Sequence, residues 1–258
     1  HKCTIEEMEE YEPHITRGTL VFSGADYEAI IREAEKEADI ILWDGGNNDM
    51  PFYKPDLSIV VADPHRPGHE LSYYPGETNL MMADAVVINK IDTADPKDVD
   101  TVRRNIQNVN PDAVVIEGAS PITVEHSSLI EKKKVLVVED GPTLTHGGMK
   151  IGAGMVAAEK FGAAEIVDPR PYLVGKLKET FNQYPDIGTL LPAMGYGNEQ
   201  IKDLETTINN TECDVVIVGT PIDLRRIIDI KKPSVRVTYD LQETGSPTIT
   251  DILALYIE

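Results

Sequence analysis

The sequence predicts an α/β protein built as two Rossmann-like units with mostly parallel sheets, and three observations carry that prediction. Short apolar, β-branched runs recur along the chain with helical patterns between several of them, the alternation that builds a parallel sheet through crossover helices. The runs are apolar throughout, as expected of strands buried on both faces, with no alternation of apolar and polar side chains. A polar stretch at residues 125–134 separates a first set of runs from a second, which divides the chain into residues 1–124 and 125–258.

In the first set, strands are predicted at residues 19–22, 39–43, 57–62, 85–89 and 113–117. Between the first two, Asp26 is placed to cap a helix over 27–38. Ala29, Ile30, Ala34 and Ala38 form its apolar face, with Glu28, Arg32, Glu33 and Glu37 turned outward. Pro96 suits the first turn of a second helix ending near Val109, because its missing N–H falls where no intrahelical bond is made. In the second set, strands are predicted at 135–138, 164–167, 215–219 and 235–239, with helices at 151–161, 171–184, 199–209 and 221–228. Trp43 is assigned to the core.

With 258 residues, 41% of them hydrophobic, the chain can bury a substantial core. Twenty-four Lys and Arg against 44 Asp and Glu give a formal charge of −20, which opposes nonspecific attraction to nucleic acid or anionic lipid. Neither is expected as a partner, and any anionic ligand has to be held by local cations. Cys3 and Cys213 form no metal-ligand or redox spacing, and no run approaches the length of a membrane span. A reducing cytoplasm fits best. Self-association is compatible with these numbers.

The segment that points most directly at a ligand is Ala85-Val-Val-Ile-Asn89-Lys90-Ile91-Asp92, an apolar run ending in Asn-Lys-x-Asp. An amide, a lysine stem and an ionised carboxylate in that order suit a guanine: the carboxylate can accept both donors of the base edge, and adenine offers no such pair. The competing reading is a polar strand-to-helix turn. A second strand end, residues 39–46, closes on Asp44-Gly45-Gly46. Here Asp44 is the candidate magnesium ligand, and Gly45 and Gly46 the candidates for close approach of backbone N–H to a phosphate. Asp63-Pro64-His65-Arg66-Pro67-Gly68-His69-Glu70 follows the run 57–62, with Arg66 as a phosphate clamp and His65 as a proton carrier; a metal held by Asp63, His65 and His69 is the weaker alternative. In the second half, Lys150 and the helix start after it form a candidate anion site with His146 nearby. Gly152-x-Gly154-x-x-Ala157 lies too far beyond the preceding strand for a dinucleotide fingerprint. The phosphate loop G-x-x-x-x-G-K-[ST] does not occur: Gly175-Lys176 is followed by Leu177.

Five segments together resemble a known group. The stretch 40–49 containing Trp43-Asp44-Gly45-Gly46, the stretch 63–70, and Asn89-Lys90-Ile91-Asp92 are similar to predicted GTPases related to cyclic 2,3-diphosphoglycerate synthetase, as are residues 138–149 and 218–224. The resemblance runs through nearly the whole chain. It implies that the first unit is part of a P-loop NTPase domain and that this chain is the carboxyl-terminal part of a longer protein whose P-loop lies upstream, so that the chain alone is nearly inactive. It further implies phosphoryl transfer from GTP or ATP with Mg2+ to a small phosphorylated metabolite. Asp44 then orients magnesium, Asn89, Lys90 and Asp92 read the base, and His65, Arg66 and Lys150 engage the acceptor. The rival class is a noncatalytic GTP-dependent switch or partner-binding protein.

Overall fold

A computed structural model describes residues 5–46, 49–141, 152–194 and 197–257. The protein is α/β with mostly parallel sheets, and it forms two compact units: residues 22–121 with 240–258, and residues 1–21 with 122–239. The central crossing, between Pro121 and Ile122, lies close to the expected cut at 124/125, while each end of the chain joins the unit on the other side of that cut.

In the unit of residues 22–121 and 240–258, β1 (Ile59–Ala62), β2 (Ala85–Ile88) and β3 (Val114–Ala119) run parallel, with Ile59 opposite Ala85 and Ala85 opposite Val114. A further strand (Gln242–Thr244) pairs antiparallel with β3, with Gln242 opposite Ala119. One face of β2 turns Val86 and Ile88 toward Leu80, Val99, Val102 and Ile106, which project from the helices Gly76–Met82 and Pro96–Val109. The other face turns Ala85 and Val87 toward Ile116 and Ile252, the latter from the helix Ile249–Leu253. The two-residue period of the strand thus feeds two separate cores. Asp95 caps the helix of Pro96, its carboxylate accepting from Lys97 N at 3.0 Å. Asp26 caps Tyr27–Ala34 in the same manner, accepting from Ala29 N.

Two expected strands do not form. Residues 19–22 and 41–46 run without a sheet partner, and Leu42 is 79% exposed. A β-branched run becomes a strand only when a neighbour supplies its ladder bonds; no neighbour for these runs exists among the described residues. Trp43, assigned to the core, is only half-buried, packed edge-on against Tyr27, Phe52 and Tyr53.

In the other unit the sheet order is β4 (Ile122–Val124), β9 (Ser234–Tyr239), β8 (Val215–Val218), β5 (Lys134–Asp140) and β6 (Glu165–Ile166), with β7 (Leu191–Ala193) also beside β5. All pairs are parallel except β4 with β9. Val135–Val138 and Val215–Val218 are buried and form the centre of the core. The predicted helix 171–184 starts late, as Lys176–Gln183: Gly175 takes φ +51°, and a Cβ there would overlap the Asp203 carboxylate that accepts from Lys176 N. The predicted helix 221–228 shrinks to the 3-10 turn Leu224–Arg226, where the Asp223 side chain takes Arg225 N. Among the described residues no helix is long and apolar enough to cross a membrane.

Candidate functional site

Parallel strands place their carboxyl ends on one edge, where open α/β sheets bind ligands. At that edge of β1, β2 and β3, three loops meet. Asn89 follows β2, and its side-chain oxygen accepts from Lys90 N at 2.8 Å and from the Ser120 hydroxyl at 2.9 Å. One oxygen of Asp92 accepts from Ser120 N at 3.0 Å, and Ile91 N donates to Gly118 O at 3.1 Å. The loops after β2 and β3 are therefore tied by side chain and backbone together. A Cβ at Gly118 would overlap Leu241 Cδ1, while standing at an ordinary contact distance of 3.6 Å from the Asn89 oxygen. Lys90 holds the left-handed conformation at φ 58°, an unfavourable one for a residue with a Cβ. That turn aims its side chain back to the end of β1.

There Lys90 Nζ meets Asp63 Oδ2 at 3.0 Å, and Arg66 meets the same oxygen at 3.1 Å. The other Asp63 oxygen accepts from His65 N at 3.0 Å. Burial alone would raise the Asp63 carboxyl; the hydrogen bond and charge of Lys90, the His65 N–H and Arg66 outweigh it and hold the group below its ordinary value. His65 turns Nε2 to the Thr93 hydroxyl at 2.9 Å. His65, Arg66, Asn89, Lys90 and Asp92 thus belong to one network, with Asp63, Thr93 and Ser120 as the joints between them.

Asp44, Gly45 and Gly46 stand apart from it. Asp44 is exposed and makes no hydrogen bond or ion pair with the described residues, and Gly46 N donates to Asp49 at 3.1 Å. A carboxylate without a protein partner suits a hard cation that keeps most of its waters. Among the described residues no three His, Cys, Asp or Glu side chains converge as a metal site, so Asp63, His65 and His69 do not assemble as one. His69 instead packs edge-on against Tyr73.

In the other unit Lys150 and His146 lie outside the described residues. The helix start that was to hold an anion beside Lys150 is already engaged: Met155 N, in the first turn of Ala153–Lys160, donates to Glu139 at 2.9 Å, and Gly154 N–H also bonds to it. The helix terminus thus has the protein's own carboxylate for its anion. Glu139 is 2% exposed, and a Cβ at Gly219 would stand 2.6 Å from its Oε2. Burial pushes the Glu139 carboxyl up to about 7; the two N–H groups counter it in part, and the charge of Asp140 adds to it. The sequence marks Glu139 only as the residue that follows the apolar run 135–138, and Asp63 only as the first residue of a loop and the weaker candidate for a metal. Their roles depend on partners distant in sequence.

The Asn-Lys-x-Asp turn at this edge of the parallel sheet lies within the stretch that comparison with known proteins matches to a domain family. Residues 17–119 match the family described as cyclic 2,3-diphosphoglycerate synthetase, P-loop domain. The chain is 66% identical over 253 residues to the protein named arginine synthetase ArcE of Thermococcus kodakarensis, covering 98% of this chain and 56% of that relative. It is 28% identical over 159 residues to the cyclic 2,3-diphosphoglycerate synthetase of Thermococcus sibiricus, covering 61% of this chain and 36% of the relative. The chain therefore spans about half the length of the first of these relatives.

Proposed function

We propose that this chain carries the base-reading part, and some of the phosphate-handling part, of a longer nucleotide-dependent synthetase. In the whole protein a phosphoryl group passes from a magnesium nucleotide to a small anionic metabolite. The reading rests above all on the tie between Asn89, Asp92 and Ser120. Ser120 N–H fixes one Asp92 oxygen while Asp92 stays exposed, so the carboxylate is aimed before a base arrives and keeps acceptor capacity for a donor pair. Pre-aimed groups lose little conformational freedom on binding.

Each remaining residue has a part in this reading. The Lys90 stem flanks the base while its ammonium stays on Asp63. Arg66, whose partner Asp63 is shared with Lys90, keeps donors for a phosphate oxygen. His65, with Nε2 on Thr93, presents Nδ1 for proton transfer at the acceptor. Asp44 would hold the magnesium, with Gly45 and Gly46 leaving room for backbone N–H at a phosphate; the ion would supply charge neutralisation at the transferring group. Lys150 is assigned to the acceptor on its sequence position alone. The relatives' names support a synthetase, and their products differ: arginine for one and a cyclic diphosphoglycerate for the other.

Titration of the full-length protein with GTP and ATP in the presence of Mg2+ tests the proposal. Asp92→Asn is expected to weaken GTP about tenfold or more relative to ATP, since the amide turns a donor toward the base's donors. Equal weakening removes the guanine assignment and leaves ATP. No binding of either nucleotide to the wild type removes the proposal.

A further inference from the structure

Ligand sites are mostly apolar, with a few placed polar groups that set orientation, and a base is commonly held between apolar side chains on its two ring faces. The turn Asn89–Asp92 supplies the polar groups, and the stem of Lys90 one apolar surface. A base in that turn has a second face to cover. Leu241 stands where that cover is needed.

Gln242 pairs with Ala119 in the antiparallel ladder, so one step further in that register Leu241 comes level with Ser120, the residue that ties Asn89 to Asp92. Its side chain lies over Gly118: Leu241 Cδ1 fills the space a Cβ there would take, and Asn89 Oδ1 is 3.6 Å from the same point. Val87 lies opposite Ile116, so two residues on, Asn89 and Gly118 share a face of the sheet, and Leu241 is on that face. The Asn89 oxygen already accepts from Lys90 N and the Ser120 hydroxyl, which leaves its NH2 group to address a ligand beside Leu241. On the other flank the Lys90 side chain runs to Asp63 at the end of β1. Lys90 and Leu241 therefore bracket the turn, one toward β1 and the other toward Gln242–Thr244. An exposed leucine is ordinary on a protein surface; this one, 41% exposed, is singled out by its place against the polar turn.

We infer that Leu241 is the second wall of the base site: a purine engaged by Asn89 and Asp92 lies with one face on the Lys90 stem and the other on Leu241. This rests on the reading of Asn89–Asp92 as the base-reading turn. It adds a residue from beyond the interruption of this unit by residues 122–239, so that chain from both sides of that interruption builds one site. The wall and the carboxylate have separate parts. Guanine and adenine both present apolar faces, so Leu241 sets affinity for a purine of either kind, while Asp92 sets the choice between them.

Methyl NMR of the full-length protein with labelled leucine methyls, titrated with GTP and with ATP in the presence of Mg2+, tests the inference. The Leu241 resonances, assigned by their loss in Leu241→Met, are expected to move upfield on saturation, as methyls over a ring face do, and to stay in place with inorganic triphosphate. In the same titrations Leu241→Ala is expected to weaken the preferred nucleotide about tenfold, because the base then covers much less apolar surface. Leu241→Met, which keeps that surface, is expected to stay within about twofold of the wild type. Nucleotide binding with unmoved Leu241 methyls overturns the inference even where Leu241→Ala weakens binding, and leaves the base-reading turn standing. So does wild-type affinity in Leu241→Ala, or an equal movement with inorganic triphosphate. Failure of the wild type to bind either nucleotide instead overturns the functional reading, and the wall with it.

Discussion

Replacing Glu139 by Gln keeps the shape of a buried side chain and removes its titration. In the folded protein the carboxyl sits near 7, against an ordinary value of 4.5, with burial as the main cause. Below pH 4.5 both the folded and unfolded chains carry the proton, and the group adds no pH dependence. Between 4.5 and 7 the unfolded chain releases the proton while the folded chain keeps it, so stability falls as pH rises. Above 7 both have released it and the loss is complete. A shift of this size corresponds to about 3 kcal/mol, at 1.36 kcal/mol per unit. The assay is chemical unfolding of wild type and Glu139→Gln from pH 4.5 to 8, followed by circular dichroism, with the variant cancelling the titration of the other acids. The variant is expected to gain stability on the wild type by roughly 2–3 kcal/mol across that interval, with the gain ending near pH 7. A difference between the two proteins that stays flat with pH would refute the assignment of a desolvated, titrating Glu139.

Two further substitutions address the site. Asp63→Asn leaves Lys90 and Arg66 without their shared countercharge; both are about one-third exposed, so solvent screening limits the loss of stability to about 1 kcal/mol at neutral pH. Because the folded Asp63 carboxyl lies below its ordinary 3.8, the wild type holds that stability above 3.8 and surrenders it as pH falls through the lower folded value, so unfolding curves of the two proteins should converge in strong acid. Gly118→Ala forces Leu241 aside at the junction of the Asn89 and Ser120 loops; a loss of about 1–3 kcal/mol, measured by thermal unfolding, is expected, and an unchanged melting temperature would show that Leu241 relocates freely.

Most of the strands were legible because their signal is local. Residues 57–62, 85–89, 113–117, 135–138, 215–219 and 235–239 each contain or overlap an observed strand, and Pro96 and Asp26 mark observed helix starts. The runs 19–22 and 39–43 have the same composition and no ladder, because pairing is a property of two segments and composition of one. Helix 171–184 was misjudged for the opposite reason: a single residue, Gly175 at φ +51°, overrides an apolar period that continues across it. In the site, the turn Asn89–Asp92 could be read directly, because its four residues are contiguous. The carboxylate that collects Lys90 and Arg66 could not, since 27 residues separate Asp63 from Lys90. Glu139 was hidden similarly, its bond to Met155 spanning 16 positions.

The pairing of Ile122 with Tyr239 has a consequence for how the chain closes. Ala119 and Gln242, which pair in the other unit, are separated by more than a hundred residues. Bringing such distant points together in an unfolded chain costs about 4 kcal/mol of loop entropy on the (3/2)RT ln n scale. Once residues 122–239 have folded, however, the β4–β9 ladder already holds Ile122 beside Tyr239, three residues from each member of the distant pair. The remaining loop is then a few residues long, and most of that entropy has been spent in forming a different core. An insertion of 118 residues behaves, for the sheet it interrupts, like a hairpin turn.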